Sequence, residues 1–338
     1  MGNFKLGRGT AVILAGIFAA IVIAFFYFVD VNLVVETVRG ADLRYLLLAS
    51  LFLLIGLVFF TLRWRLLMGD KPPFKVTFWA SNLGLFFNMI IPARGGELLR
   101  IIMMGQKTAV TYAEATTSFA VERLIEQVLR LLFFLLAIFA GAGLALSTNM
   151  LVGTAVTFLA FVLLVVWSIR HREATLVIVP GVVGRLPFLQ ETAVRDSLAK
   201  TLDNLEIIAK PKQLLMVWIY SFLCWGAFTA FYYAILVAIG FPQDGRLPVV
   251  LASMALAPPS APSHPGISQA SIVVPLAALG FDSAALTAYG ILAQLVEAFW
   301  MGTFALTAVF QSGLSFGQVL APIDDGQGVG ELQEQESD

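Results

Sequence analysis

Charge is scarce in this chain. Its 338 residues hold 21 Lys and Arg and 22 Asp and Glu, 13% in all. An ordinary soluble domain carries about 25% charged residues, so that class is excluded. Histidine occurs twice and cysteine once. His171 and His264 lie far apart and no zinc-type spacing exists. Cys224 alone permits no disulfide framework. It sits in an apolar run and reads as a small packing residue. No Gly-x-Ser-x-Gly elbow, P-loop or dinucleotide fingerprint occurs. No metal, cofactor or nucleic-acid partner is expected.

What remains is apolar. The chain is 59% hydrophobic with a mean hydropathy of +0.87. This composition predicts an all-α polytopic membrane protein with one membrane domain over residues 1–310. A helix needs about 20 apolar residues to cross a bilayer. Thr10–Val29, Tyr45–Leu62, Gln213–Gly240 and Ser283–Phe310 meet that length. Lys5 and Arg8 before the first run resemble a signal peptide, but the run is too long and no cleavage pattern follows, so it reads as a retained helix. Leu131–Ile169 is about twice the needed length, with Gly141, Gly143, Ser147, Thr148 and Asn149 near its middle. It reads as a two-helix hairpin, which brings the expected spans to six.

Two apolar regions, near 76–106 and 247–281, are interrupted instead. The first contains Asn88-Met-Ile-Ile-Pro92-Ala-Arg94-Gly95-Gly96-Glu97-Leu-Leu-Arg100. The second contains Pro262-Ser263-His264-Pro265-Gly266-Ile-Ser-Gln269. Proline removes a backbone donor and glycine loosens a helix. Hydrocarbon cannot solvate the freed peptide groups, which are tolerated only inside protein or beside a water-filled cavity. Two such interruptions in opposite halves point to a transporter-like site. Lys and Arg favour cytoplasmic loops. Lys5, Arg8, Arg63, Arg65, Lys71, Lys75 and the basic 170–212 loop are therefore expected inside, with both termini cytoplasmic. This count makes the two regions re-entrant hairpins of opposite entry, related as an inverted repeat. Short tilted full crossings, giving eight or more spans, are the plainer alternative. Val194, Leu198, Leu202, Leu205 and Ile208 recur at helical spacing in the 170–212 loop, which suits an amphipathic helix on the membrane or on the bundle. The tail over 311–338 is acidic and expected to be flexible.

Arg94, Glu97, Arg100, Glu122 and Arg123 are the leading site candidates, because ionisable groups in apolar segments usually face a cavity or one another. Glu97 and Arg100 stand three apart and can pair on one helix face. Three arginines against two acids leave positive charge for an anion, and arginine matches phosphate bidentately. Gly95 and Gly96 let a ligand approach the backbone, and a helix starting there adds N–H donors. A buried ion-pair network that only fixes the fold accounts for the same residues. In the second interruption, Ser263, His264 and Gln269 offer hydrogen bonds; His264 reads equally as a loop residue. Asn88, Pro92, Pro262, Pro265 and Gly266 shape the two interruptions. Gln294 and Glu297 share a face of the last helix and are pathway candidates. The Trp and Phe residues read as lipid-facing or interfacial.

The sequence from Asn88 through Pro92, Arg94, Gly95, Gly96 and Glu97 to Arg100, followed by Glu122-Arg123, resembles the lysylphosphatidylglycerol synthase transmembrane, or flippase-like, family. Arg63-Trp64-Arg65 is similar to its Arg-Trp element. Pro262-Ser-His-Pro265-Gly266-Ile267 is similar to its second motif, and Gly280-Phe281 to the turn that follows. The likeness spans about 10–310. Where the family often has a glutamate after the second motif, this chain has Gln269 or lacks it; Gln294 stands in place of a basic residue in the last helix. The resemblance implies movement of a phospholipid or lipid-linked substrate in a prokaryotic inner membrane, or an accessory role beside a separate lipid-modifying enzyme. The full synthase carries an aminoacyl-transferase domain after its membrane part. None follows here, so a synthase is not expected. An intramembrane enzyme acting on lipid phosphate is the rival reading, and the lipid itself stays open.

Overall fold

Long uncharged runs have one way to satisfy their backbone in an apolar medium, which is to coil into helices. The computed structural model describes residues 39–90, 95–140, 170–183, 211–260 and 266–312, with Glu36, Trp167, Arg195, Ala199, Pro262 and His264. The described residues form helices and turns, with no strand among them. The helices are α1 (Leu43–Leu67), α2 (Phe74–Asn88), α3 (Gly96–Lys107), α4 (Tyr112–Phe139), α5 (Arg172–Val183), α6 (Pro211–Ala238), α7 (Gln243–Leu256), α8 (Ile267–Ala277) and α9 (Ser283–Ser312). Thr10–Val29, most of the loop after 183 and the acidic tail lie outside the described residues, as do the expectations placed on them.

Local chemistry sets the boundaries. The Asp42 carboxylate caps α1 by accepting the Arg44 N–H at 2.9 Å. α4 opens on a capping box in which the Thr111 N–H donates to Glu114 at 2.9 Å and the Glu114 N–H donates back to Thr111 Oγ1 at 3.2 Å. The interruptions near 90 and 260 end α2 and α7 and begin α3 and α8. α2, α3, α7 and α8 have 15, 12, 14 and 11 residues. At 1.5 Å per residue they reach about 17–22 Å, short of the roughly 30 Å hydrocarbon layer. α1, α6 and the Ser283–Phe310 part of α9 are long and apolar enough to cross it.

The two halves match element by element. α1 leads through Gly69 (φ 71°) and the N-capping Pro73 into α2; α6 leads through Gly240 (φ 70°) and the N-capping Pro242 into α7. Each half then has two short arms and a long helix. Exchange α1 with α6, α2 with α7, α3 with α8 and α4 with α9, and the packing pairs map onto one another, with the contact of α1 on α9 as the exception. α2 against α3 answers α7 against α8, and α1 against α4 answers α6 against α9. The halves also interlock, since α2 packs on α9 and α4 on α7. α1 and α6 form the axis, with Leu53, Leu57, Phe60, Trp225, Phe228 and Phe231 fully buried in one core.

One boundary departs from the sequence reading. The hairpin expected to start at Leu131 has its first arm within α4, which runs unbroken from Tyr112. Glu122, Arg123, Glu126 and Arg130 lie inside that helix. The hydropathy count stops at these charges, but the fold hides them between helices.

Candidate functional site

Six charges meet where α1, α3 and α4 pack together. Arg63 of α1 donates through Nη2 to Glu122 at 3.0 Å and to Glu126 at 2.7 Å. Arg100 of α3 donates to the other oxygen of Glu122 at 2.8 Å. Arg123 lies 2.8 Å from Glu126 and 3.8 Å from both Glu97 and Glu122. Arg63, Arg100, Glu122 and Glu126 are fully buried, at 0–1% exposure. Aromatic faces complete the enclosure. The Arg100 guanidinium lies 3.8 Å from the Trp64 ring centre and 5.0 Å from that of Phe60. Such contacts add about 0.5–2 kcal/mol each, more when desolvated.

This geometry revises several expectations. Arg63, assigned to a cytoplasmic loop by the positive-inside rule, sits in the last turns of α1 with no exposed surface. Its charge is held by two buried acids, so hydration no longer decides its depth. Glu126 belongs to the cluster as well. Three arginines therefore face three glutamates, and the surplus of positive charge expected here is absent among the described members. Pairing runs between helices and not within α3: Arg100 reaches Glu122, while Glu97 approaches Arg123. Trp64 and Phe60 line this cluster; they do not face lipid. Pro92 and Arg94 lie outside the described residues.

Gly96 also differs from its expected role. A Cβ there would strike the Gly84 carbonyl and Asn88, and one at Gly84 would lie 2.8 Å from the Gly96 carbonyl and 2.9 Å from the Arg100 side-chain stem. The two glycines let α2 and α3 approach closely, which carries Arg100 across to Glu122. Gly95 is the N-cap of α3, with no side-chain cap bond.

The second interruption reaches the first. His264 Nδ1 donates to the carbonyl of Met89, the C-cap residue of α2, at 2.9 Å. The tips of both short-arm pairs are thus in contact. Gly266 (φ 87°) starts α8, and its N–H donates to the Gln269 side chain. The Gln269 amide in turn donates to Gln294 of α9. Below the tip, Tyr232 of α6 donates its hydroxyl to the Ala257 carbonyl at 2.5 Å and lies 3.4 Å from Glu297 of α9. Tyr232 and Glu297 are buried. Glu297 has no arginine partner among the described residues; Tyr232 is its neighbour instead. Pro262 is described and buried; Ser263 and Pro265 fall outside the described residues.

Arg63, Glu126, Trp64 and Tyr232 went unread as site residues. The available signal was their spacing: Glu126 lies one helical turn after Glu122, and Trp64 directly follows Arg63.

The family model of the lysylphosphatidylglycerol synthase TM region matches residues 11–305. A UPF0104 membrane protein of Pyrococcus horikoshii is 22% identical over 310 residues, covering 84% of this chain and 91% of the relative. No solved structure matches. With nearly its whole length matched, the chain belongs to the family of the lysylphosphatidylglycerol synthase TM region.

Proposed function

We propose that this membrane protein moves a lipid with an anionic or lipid-linked headgroup between leaflets. The observation that carries the reading is the contact between the two tips, His264 to Met89. Arms too short to cross, meeting through their broken ends, suit a pair of re-entrant hairpins that enter from opposite sides. The matched halves suit an inverted repeat. Such an arrangement brings polar backbone to mid-membrane while apolar helices stay in contact with acyl chains.

The described charges of the first cluster balance one another, so the anion contact falls to Arg94 and to the backbone N–H groups at the start of α3. Glu97, Arg100, Glu122 and Arg123 then fix the hairpin that presents them. Ser263, His264 and Gln269 supply neutral hydrogen bonds from the opposite tip. On this reading the protein is not an enzyme and takes no cofactor. It sits in a prokaryotic inner membrane with both termini cytoplasmic, and a lipid-modifying enzyme can act beside it.

The test is headgroup accessibility in vesicles holding the purified protein and a fluorescently labelled phosphatidylglycerol. Exchange between leaflets without covalent change is expected. Covalent conversion of the lipid would replace this reading with lipid-phosphate chemistry. No exchange and no conversion would replace it with a subunit that presents lipid to a separate enzyme.

A further inference from the structure

The polar contacts of the first half recur in the second with most charges removed. Glu126 stands fourteen residues into α4, and Glu297 stands fourteen residues into α9. Arg63, late in α1, reaches Glu126; Tyr232, at nearly the same depth in α6, reaches Glu297. Arg100, early in α3, reaches Glu122 of α4; Gln269, early in α8, reaches Gln294 of α9, which stands eleven residues into its helix as Arg123 does in α4. The second half therefore repeats the Arg63–Glu126 contact as Tyr232–Glu297, and ties its short arm to the long helix through neutral glutamines. One acid survives. Glu297 is a carboxyl inside a membrane bundle, 5% exposed, and no described cation neutralises it.

Few ionisable groups on the packed elements face it. α6 presents Tyr232, and α9 itself presents Tyr289. α8 carries no ionisable side chain, and α2 carries only Lys75 in its exposed first turn. Arg63 of α1 is engaged by Glu122 and Glu126. Arg130 of α4 interacts electrostatically with Tyr232. An ionised carboxylate in such a place is costly and a neutral acid is not.

Hydrogen counting then links this acid to the tip. Tyr232 has one hydroxyl hydrogen and two acceptors within reach. The shorter contact, 2.5 Å, is to the Ala257 carbonyl, which terminates α7 at the second interruption. Glu297 at 3.4 Å is satisfied in this arrangement only if it carries its own proton and donates to the Tyr232 oxygen. Loss of that proton leaves a carboxylate that draws the tyrosine hydrogen away, and the Ala257 carbonyl loses its donor.

We infer that Glu297 is a proton-binding site wired through Tyr232 to the second hairpin tip, so that lipid passage is coupled to a proton. The carboxylate takes a proton from water on one side, forming the O–H bond, and releases it to water on the other. The coupling rests on the transport reading above; the proton site does not.

Two readouts test them separately. The infrared carbonyl band of a protonated carboxyl is recorded at neutral pH for the wild type and for Glu297→Gln, a neutral mimic of the same shape. The band should be lost in the variant; an unchanged spectrum overturns the proton site. In potassium–valinomycin-clamped vesicles with labelled phosphatidylglycerol, one pH unit should drive about tenfold lipid asymmetry for one proton per lipid. Glu297→Gln should give a ratio of one, and a retained tenfold ratio overturns the coupling. Tyr232→Phe should keep the infrared band while losing the asymmetry. If the band behaves as expected and no protein moves lipid, the proton site stands and the transport reading fails.

Discussion

Arg63 and Glu126, 63 residues apart in the chain, lie 2.7 Å from each other with neither side chain in contact with solvent. The pair joins α1 to α4, and Glu122 extends it to Arg100 on α3. Three helices are thereby pinned at one point.

Removing one member leaves its partners charged and buried. Arg63→Ala and Glu122→Ala should each cost about 3–5 kcal/mol, because desolvation of the orphaned charge is no longer offset. Reversible unfolding in detergent measures this. The double variant Arg63→Met, Glu126→Gln should lose clearly less than the two single variants together, since contacting residues are not additive. Strict additivity would mean that the pair contributes nothing as a unit.

The glycines divide sharply. Gly96→Ala places a methyl against the Gly84 carbonyl and should destabilise by about 1–3 kcal/mol through overpacking. Gly226, in the middle of α6, has nothing within 4 Å of the added carbon. Gly226→Ala should be neutral or stabilise by up to about 1 kcal/mol, from reduced backbone freedom. Thermal unfolding of both in one detergent decides it, and equal behaviour would argue against the tight α2–α3 approach.

Contact of the tips predicts a cross-link. In a Cys224→Ala background, Met89→Cys combined with His264→Cys should form a disulfide on mild oxidation, seen as a reducible shift in gel mobility. Absence of the cross-link would argue against contact of the tips. His264→Phe should lose exchange while keeping the fold, because the ring remains but its donor does not.

Arg94 is tested by its geometry against its charge. Arg94→Ala and Arg94→Lys should both abolish exchange if the headgroup phosphate needs a bidentate fork, since lysine keeps only the charge. Expression level and unfolding midpoint are measured alongside, so that loss of exchange is told apart from loss of the fold. Full activity with lysine would assign Arg94 to simple charge neutralisation.

Much of this was legible in residue order, for a physical reason. Proline and glycine inside an apolar run have few uses other than a break, so the ends of α2 and α7 and the starts of α3 and α8 fell close to where Asn88–Gly96 and Pro258–Gly266 placed them. Buried partnership was not legible. Arg63 sits just past an apolar run, where a rule about loop charge treats it as hydrated, and only the acids on α4 reveal its true depth. Glu126 was missed because an acid one turn after another reads as repulsion until a third group stands between them. Tyr232 lay in the aromatic-rich run Phe228–Tyr233, which offers no cue to single out one hydroxyl.

The interlocking of the halves has a consequence for biosynthesis. α2 packs on α9 and α4 on α7, so the first half leaves the ribosome before its partners exist. At about 5–20 residues per second, roughly 10–45 s separate completion of α2 from completion of α9. During that interval the broken tip near Met89 lacks His264, and two arms too short to cross the bilayer must be sheltered by the insertion machinery. The nascent first half is thus a client waiting for its own second half, and truncation after α4 should yield a product cleared by membrane proteases instead of a smaller stable domain.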